Sequence, residues 1–195
     1  MRLLLIGAPG AGKGTQAQRI AEHFGIAHIS SGDLLRKHIA QETSIGRSVA
    51  ETMRRGDLVP DGIVMDVLRK PVEAASRNGG YILDGFPRTV EQAQQSYEVA
   101  RDINAAVQVA LYLDVPREEL VRRLMERGRQ TGRTDDTEEV VTHRLRVFEE
   151  HTLPLLDYYR QRERLISVNG AEQVDEVTAA IIERLQRVRE EIREV

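Results

Sequence analysis

The chain has no cysteine and no tryptophan, and aromatic residues make up only 4% of it. Without cysteine there is neither a disulfide nor a zinc site built from thiolates. No run is long and apolar enough to read as a membrane span. The opening apolar stretch, Leu3 to Ile6, is cut short by Gly7, Pro9 and Gly10. It is too short for a secretory signal core and has no small-residue cleavage pattern, which predicts a cytoplasmic protein. A strong charge of one sign is also missing: 28 Lys+Arg against 31 Asp+Glu leave a formal net charge of −3. Binding to nucleic acid through global basic charge is therefore not expected, and any phosphate site must come from locally clustered arginine. No internal repeat and no low-complexity tract is present. The chain has 195 residues, 41% of them hydrophobic, enough for one main domain with a substantial core.

Five short apolar runs, residues 2–7, 26–29, 80–84, 107–114 and 164–168, read as strands buried on both faces. Helical patterns lie between them. The alternation predicts an α/β fold, a five-stranded parallel sheet with helices on both faces. Ligands in such sheets bind beyond the carboxyl ends of the strands, where Gly7, Ser30, Asp84 and Asp114 fall. Two intervals exceed a minimal alternation. Residues 30–75 carry several helical segments, and residues 128–136 form a polar, glycine-containing loop. Both are expected to be inserts over the active edge of a single domain. Pro71 lies in the helical pattern of residues 61–76 and should end or kink that helix. In the tail, Val174, Val177, Ile181, Leu185, Val188 and Ile192 share one face of a packing helix.

The run Gly7-Ala8-Pro9-Gly10-Ala11-Gly12-Lys13-Gly14-Thr15 sits between the first strand and a helical segment. Strand, glycine-rich loop and helix together form a P-loop. Its backbone N–H groups surround phosphate oxygens, the helix adds its positive end, and Lys13 adds a full charge. Lys13 is expected to face solvent before a nucleotide binds. Most P-loops place Ser or Thr directly after the lysine, as a magnesium ligand. Here Gly14 takes that place and Thr15 follows, so Mg²⁺ is expected to be held by phosphates and water, with acidic side chains behind them.

A second constellation follows the third strand, in Tyr81-Ile82-Leu83-Asp84-Gly85-Phe86-Pro87-Arg88. In a P-loop protein an aspartate at this strand end orients magnesium-bound water. Gly85 admits a ligand to the backbone and Pro87 stiffens the turn from which Arg88 projects. A guanidinium there takes a phosphate bidentately. Gln92, one helical turn on, shares that side; its amide matches the N1 and 6-amino edge of adenine, though a lone glutamine is more often a solvated surface residue.

With these residues in place the chain resembles the adenylate kinases, nucleoside monophosphate kinases that interconvert ATP plus AMP with two ADP. The resemblance spans nearly the whole sequence. It rests on residues 7–15, Ser-Ser-Gly-Asp-Leu-Leu-Arg at 30–36, Gly-Asp-Leu-Val-Pro at 56–60, Asp-Gly-Phe-Pro-Arg at 84–88 and Gly-Arg-Thr-Asp-Asp at 132–136. It implies that Gly10, Ala11, Gly12, Lys13, Gly14 and Thr15 hold ATP phosphates, that Arg123 and Arg127 face ATP, and that Gly170 lines its adenine. It implies an AMP site of Ser31, Arg36, Asp57, Leu58, Val59, Gly85, Phe86, Pro87, Arg88 and Gln92. Arg133 and Arg144 would face both the transferring phosphates and AMP, and the catalytic set would be Lys13, Arg88, Arg123, Arg133 and Arg144. Asp84 and Asp33 would stand behind Mg²⁺ without ligating it. Residues 30–75 would be the monophosphate-binding insert and residues 127–136 a short lid without zinc. Where the family usually has Thr, this chain has Ser31, which keeps the hydroxyl. The implied partners are ATP, AMP and ADP, with no nucleic acid or membrane, and a monomer is the simplest state.

The residue types suit that chemistry. An AMP phosphate oxygen is already anionic, so the transfer needs no general base; it needs alignment and neutralised charge. The five histidines form no acid–base set. From spacing alone, Arg123 and Arg127 are equally readable as a solvated face eased by Glu119 and Glu126. Asp135 or Asp136 reads as a cap for the helix that follows. A UMP/CMP kinase shares this fold, and Gln92 with the Ser31 hydroxyl favours adenine over it. A nucleotide-gated switch would need no second site of the kind that Arg36, Arg88 and Gln92 make.

Overall fold

A computed structural model describes residues 1–133, 135–162 and 164–193. Its centre is β1 (Arg2–Gly7), in which Leu3, Leu4, Leu5 and Ile6 are all buried. A strand with no polar face must be covered on both sides. Leu3 and Leu5 point into one core with Ile20, Leu124, Ile181 and Leu185. Leu4 and Ile6 point into another with Ala93, Leu155 and Tyr158. The alternation follows from the two-residue repeat of a strand.

Around β1 the sheet has five strands in the order β2-β3-β1-β4-β5, every pairing parallel. The others are β2 (Ala27–Ser30), β3 (Tyr81–Asp84), β4 (Val109–Asp114) and β5 (Arg164–Asn169). Each lies within two residues of its predicted bounds. β1 runs into the P-loop and α1 (Lys13–Phe24). Between β2 and β3 lie α2 (Ser31–Ala40), α3 (Ser44–Arg55) and α4 (Asp61–Arg77). Their apolar faces, including Leu35, Val49, Val64 and Leu68, gather over Ile29, Leu83 and Phe86 as a third core. The remaining helices are α5 (Val90–Asp102), α6 (Arg117–Thr131), α7 (Glu138–Val147), α8 (Pro154–Arg162) and α9 (Val174–Arg193). A π-helical turn, Phe148–Thr152, joins α7 to α8. Among the described residues no helix is long and apolar enough to cross a membrane.

Three expectations need correction. First, of the two effects expected at Pro71, an end or a kink, the end does not occur: α4 runs on to Arg77. Val64, Leu68 and Ala75 are buried on one side of it, so the apolar stripe continues past the proline and holds the helix across the missing N–H. Second, residues 128–131 are not loop but the last turn of α6, which ends at Gly132 in a left-handed conformation. The connection to α7 is correspondingly short, and Thr134 within it lies outside the described residues. Third, Val174 is 45% exposed, so the buried stripe of α9 begins at Val177.

Because Pro71 leaves the Val67 carbonyl without its helical donor, Pro71→Ala is expected to stabilise the protein by about 1–3 kcal/mol. Urea unfolding of the two proteins checks this; an unchanged or lower midpoint would mean that the proline's rigidity in the unfolded chain outweighs the restored bond.

Candidate active site

The P-loop occupies residues 8–12 between β1 and α1, and α1 starts at Lys13 with Gly12 as its left-handed cap. Lys13 is half-buried at the cleft rather than fully open to solvent as expected. Its side chain folds back, and Nζ donates to the carbonyls of Gly7 (2.8 Å) and Ala8 (3.1 Å). Burial lowers its pKa to about 8; Asp84 opposes the shift and Arg88, Arg144 and Arg127 add to it. The lysine therefore stands charged at neutral pH but close to losing its proton.

In front of it opens a cleft of about 370 Å³, lined by Gly10, Gly12, Lys13, Gly14 and Thr15 on one side and by Arg123, Arg127, Arg133 and Arg144 on the other. Ala11 is buried and stays behind this lining. Asp84 and Asp33 also line the cleft. Burial, the largest single effect, raises Asp33, but Arg36, which pairs with it, together with Ser30 and Arg133 holds it below its usual range.

A second cavity, of about 60 Å³, lies against the insert helices. Ser31, Asp57, Leu58, Val59, Phe86 and Gln92 line it. The two cavities share Gly32, Arg36, Gly85, Arg88 and Arg144, so they meet along a wall of three guanidiniums. Pro87 and Arg133 do not line the second cavity; Arg133 faces the first alone. Gly85 is required where the walls meet: it has φ +85°, and a Cβ there would fall 2.6 Å from the Ser31 hydroxyl.

Arg88 is held from three sides. Its Nε donates to the Gly85 carbonyl at 2.8 Å, its backbone N–H to Gln92 Oε1 at 2.7 Å, and its carbonyl accepts from Thr152 Oγ1 at 2.8 Å. Gln92 is 2% exposed, and its Nε2 donates to Asp61 Oδ1 at 2.6 Å. It is a buried residue of the cavity wall, not a solvated one.

The arginines across the cleft are organised by Asp136, whose carboxylate is fully shielded from solvent. It accepts two bonds from Arg127, both 2.7 Å, and one from Arg144 at 2.8 Å. Arg144 also donates to the Asp135 carbonyl at 2.8 Å. Burial, the largest single effect, pushes Asp136 up, but Arg127, Arg144 and Arg133 together hold the carboxyl below its ordinary range. Neither acid caps α7: Thr137 holds that position, without a side-chain cap. Arg123 is fixed by Glu119 at 2.6 Å and by the carbonyls of Gly170 (3.0 Å) and Ala171 (3.4 Å). That contact brings Gly170 beside the cleft although it lies at the end of β5.

Sequence reasoning missed three residues. His143 on α7 bonds Asp57 of the insert at 2.7 Å. Beside that contact, Gly56 lies against the Arg144 side chain, leaving no room for a Cβ. Thr152 holds Arg88 from the π-helical turn, and Asp61 holds Gln92. Their partners are 86, 64 and 31 residues away, beyond any local pattern.

A parallel sheet with a P-loop at its active edge, abutting a second cation-walled cavity, defines a P-loop phosphotransferase. The profile of the adenylate kinase family matches residues 5–164. The adenylate kinase of Leptospira biflexa is 42% identical over 184 residues, 94% of this chain and 99% of that protein. Those of Phocaeicola vulgatus and Kocuria rhizophila are 39% and 41% identical, covering 96% and 95% of this chain and 100% and 99% of theirs. The chain belongs to the adenylate kinase family.

The lowered pKa of Lys13 has a measurable consequence. A polyphosphate in the cleft raises that pKa again, because it favours the charged form. Above about pH 8 the free protein has lost the proton and the complex has kept it, so binding takes a proton up. ATP affinity is expected to fall as pH rises through 8. Calorimetry at pH 8.5 in buffers of different ionisation enthalpy should read net proton uptake in the wild type and less in Lys13→Met; equal uptake in both would assign the proton elsewhere.

Proposed function

We propose that this ATP:AMP phosphotransferase binds the ATP phosphates in the P-loop cleft and AMP in the insert cavity, and transfers the terminal phosphate across the wall of Arg36, Arg88 and Arg144. The single observation that carries this reading is that wall: the same three guanidiniums line both cavities. Two phosphate chains repel each other, and the work of the site is to hold them in line and neutralise their charge. Lys13 leaves the Gly7 and Ala8 carbonyls for the ATP phosphates. Arg88 and Arg36 take the AMP phosphate, while Arg123, Arg127 and Arg133 hold the donor. The Ser31 hydroxyl, the 57–59 loop and the Gln92 amide receive the acceptor nucleoside, and Gly170 lies beside the donor base.

Mg²⁺ accompanies ATP and offsets charge between its phosphates. Asp84, buried at the end of β3, and Asp33 are the acids in the cleft suited to hold its waters. Among the described residues no three acidic or histidine side chains are grouped to hold a metal by themselves. Residues 30–75 and 127–136 close over the two nucleotides and exclude water, so that ATP is not simply hydrolysed. We read the protein as a cytoplasmic monomer acting on ATP, AMP and ADP, with neither nucleic acid nor a membrane as partner.

Two measurements test this. ATP consumption in the presence of Mg²⁺ should depend on AMP and produce two ADP; equal loss with and without AMP would refute the transfer. Arg88→Ala at saturating MgATP should lower kcat/KM for AMP about 10²-fold or more, with a fall in kcat, and should harm CMP in the same proportion. A variant of near-normal turnover would remove Arg88 from the mechanism.

A further inference from the structure

We infer that Asp61 sets which bases the acceptor site admits, by locking the Gln92 amide in one orientation. The inference rests on the proposed reading of Gln92 as the residue that meets the acceptor base. A glutamine amide is nearly symmetric in shape and opposite in chemistry at its two ends, so a 180° turn exchanges what it offers. Here both ends are fixed by partners that cannot reverse. The Arg88 backbone N–H can only donate, so Oε1 must face it. The Asp61 carboxylate accepts, so Nε2 must face it. The orientation is dictated by these partners and is closed to the alternative, since turning the amide would set N–H against N–H and oxygen against carboxylate.

Each end keeps one unused function: a lone pair on Oε1 and a hydrogen on Nε2. Gln92 lines the acceptor cavity and Asp61 does not. Asp61 therefore acts through Gln92 and is a positioning residue. The free donor and acceptor stand side by side and match a base edge that pairs a ring-nitrogen acceptor with an exocyclic amine. Adenine carries that edge. Hypoxanthine has the same size and shape but reverses it, with N1–H and a 6-oxo group. A glutamine free to turn would serve both bases; a locked one strands two polar groups against hypoxanthine in a buried site. Cytosine shares the amino edge with adenine, so the lock separates amino from oxo bases and leaves ring size to other contacts.

The test compares kcat/KM for AMP and IMP at saturating MgATP in the wild type, Asp61→Ala, Asp61→Asn and Gln92→Ala. Asp61→Ala is expected to lower the AMP-to-IMP ratio about tenfold, mainly through the KM for AMP, the loss expected for one charge-assisted hydrogen bond. Asp61→Asn, whose Oδ1 can still accept from Nε2, should restore most of the ratio. Simple loss of stability does not move this ratio, because both substrates meet the same folded fraction. Asp61 also opens the first turn of α4; if Asp61→Ala fails to fold, Asp61→Ser removes the carboxylate while keeping a residue suited to a helix start. A ratio within twofold of wild type in Asp61→Ala (or in Asp61→Ser, where the alanine variant does not fold), with Gln92→Ala collapsing it, would overturn the lock while leaving Gln92 as the base reader. A ratio unchanged in Gln92→Ala would overturn both.

Discussion

The buried carboxylate of Asp136 is the interaction on which the site depends. Lys13 and six arginines line one cleft of a protein whose overall charge is −3. Left alone, such a cluster would push its helices apart. Asp136 takes Arg127 from α6 and Arg144 from α7 in one carboxylate, tying together the two helices that flank the short connection between them. Asp33 pairs with Arg36 within α2, and Glu119 with Arg123 within α6. Each pairing leaves part of a guanidinium open to the cleft. The repulsion is thus contained rather than cancelled, and the cations still line the cleft.

The segment from α7 through the π-helical turn gathers these constraints. Within ten residues it supplies His143 to the insert loop, Arg144 to the shared wall and Thr152 to the Arg88 carbonyl. An ordinary α-helix would turn these side chains by 100° per residue. The π-helical turn, closed by the Leu153 N–H to the Phe148 carbonyl at 3.0 Å, inserts a residue and changes that phase before Thr152.

The fold was legible because its strands are continuous apolar runs that need cover on both faces, and because the glycines of residues 7–15 leave few alternatives to a P-loop. The site was partly legible where a residue's partner is near in sequence: Arg88 and Gln92 do meet, but not as one helical turn, because α5 starts only at Val90 and the contact is the Gln92 amide reaching back to the Arg88 backbone N–H ahead of the helix. It was illegible where the role depends on docking between elements. Nothing local ties Asp61 to Gln92 or His143 to Asp57, and Asp136 had the pattern of a cap until α6 and α7 were packed together. Lys13 was read as open because the carbonyls that capture it belong to the loop's own return, a contact with no sequence signature. Pro71 does not end its helix: its intrinsic cost is real, but the buried stripe of α4 carries the helix past it.

The sheet order also governs how the chain is made. β1 lies third in the sheet, and its edges are covered only when β3 and then β4 have left the ribosome. The helix that follows the P-loop waits longer still: Gln16, buried in α1, exchanges hydrogen bonds with Val174 and Thr178 of α9, and Arg19 pairs with Asp175. The glycine-rich loop and its helix are therefore synthesised more than 150 residues ahead of the helix that seats them. Until β3 emerges the nascent chain carries its most hydrophobic strand with both edges unpaired, the state in which a growing polypeptide most needs a chaperone.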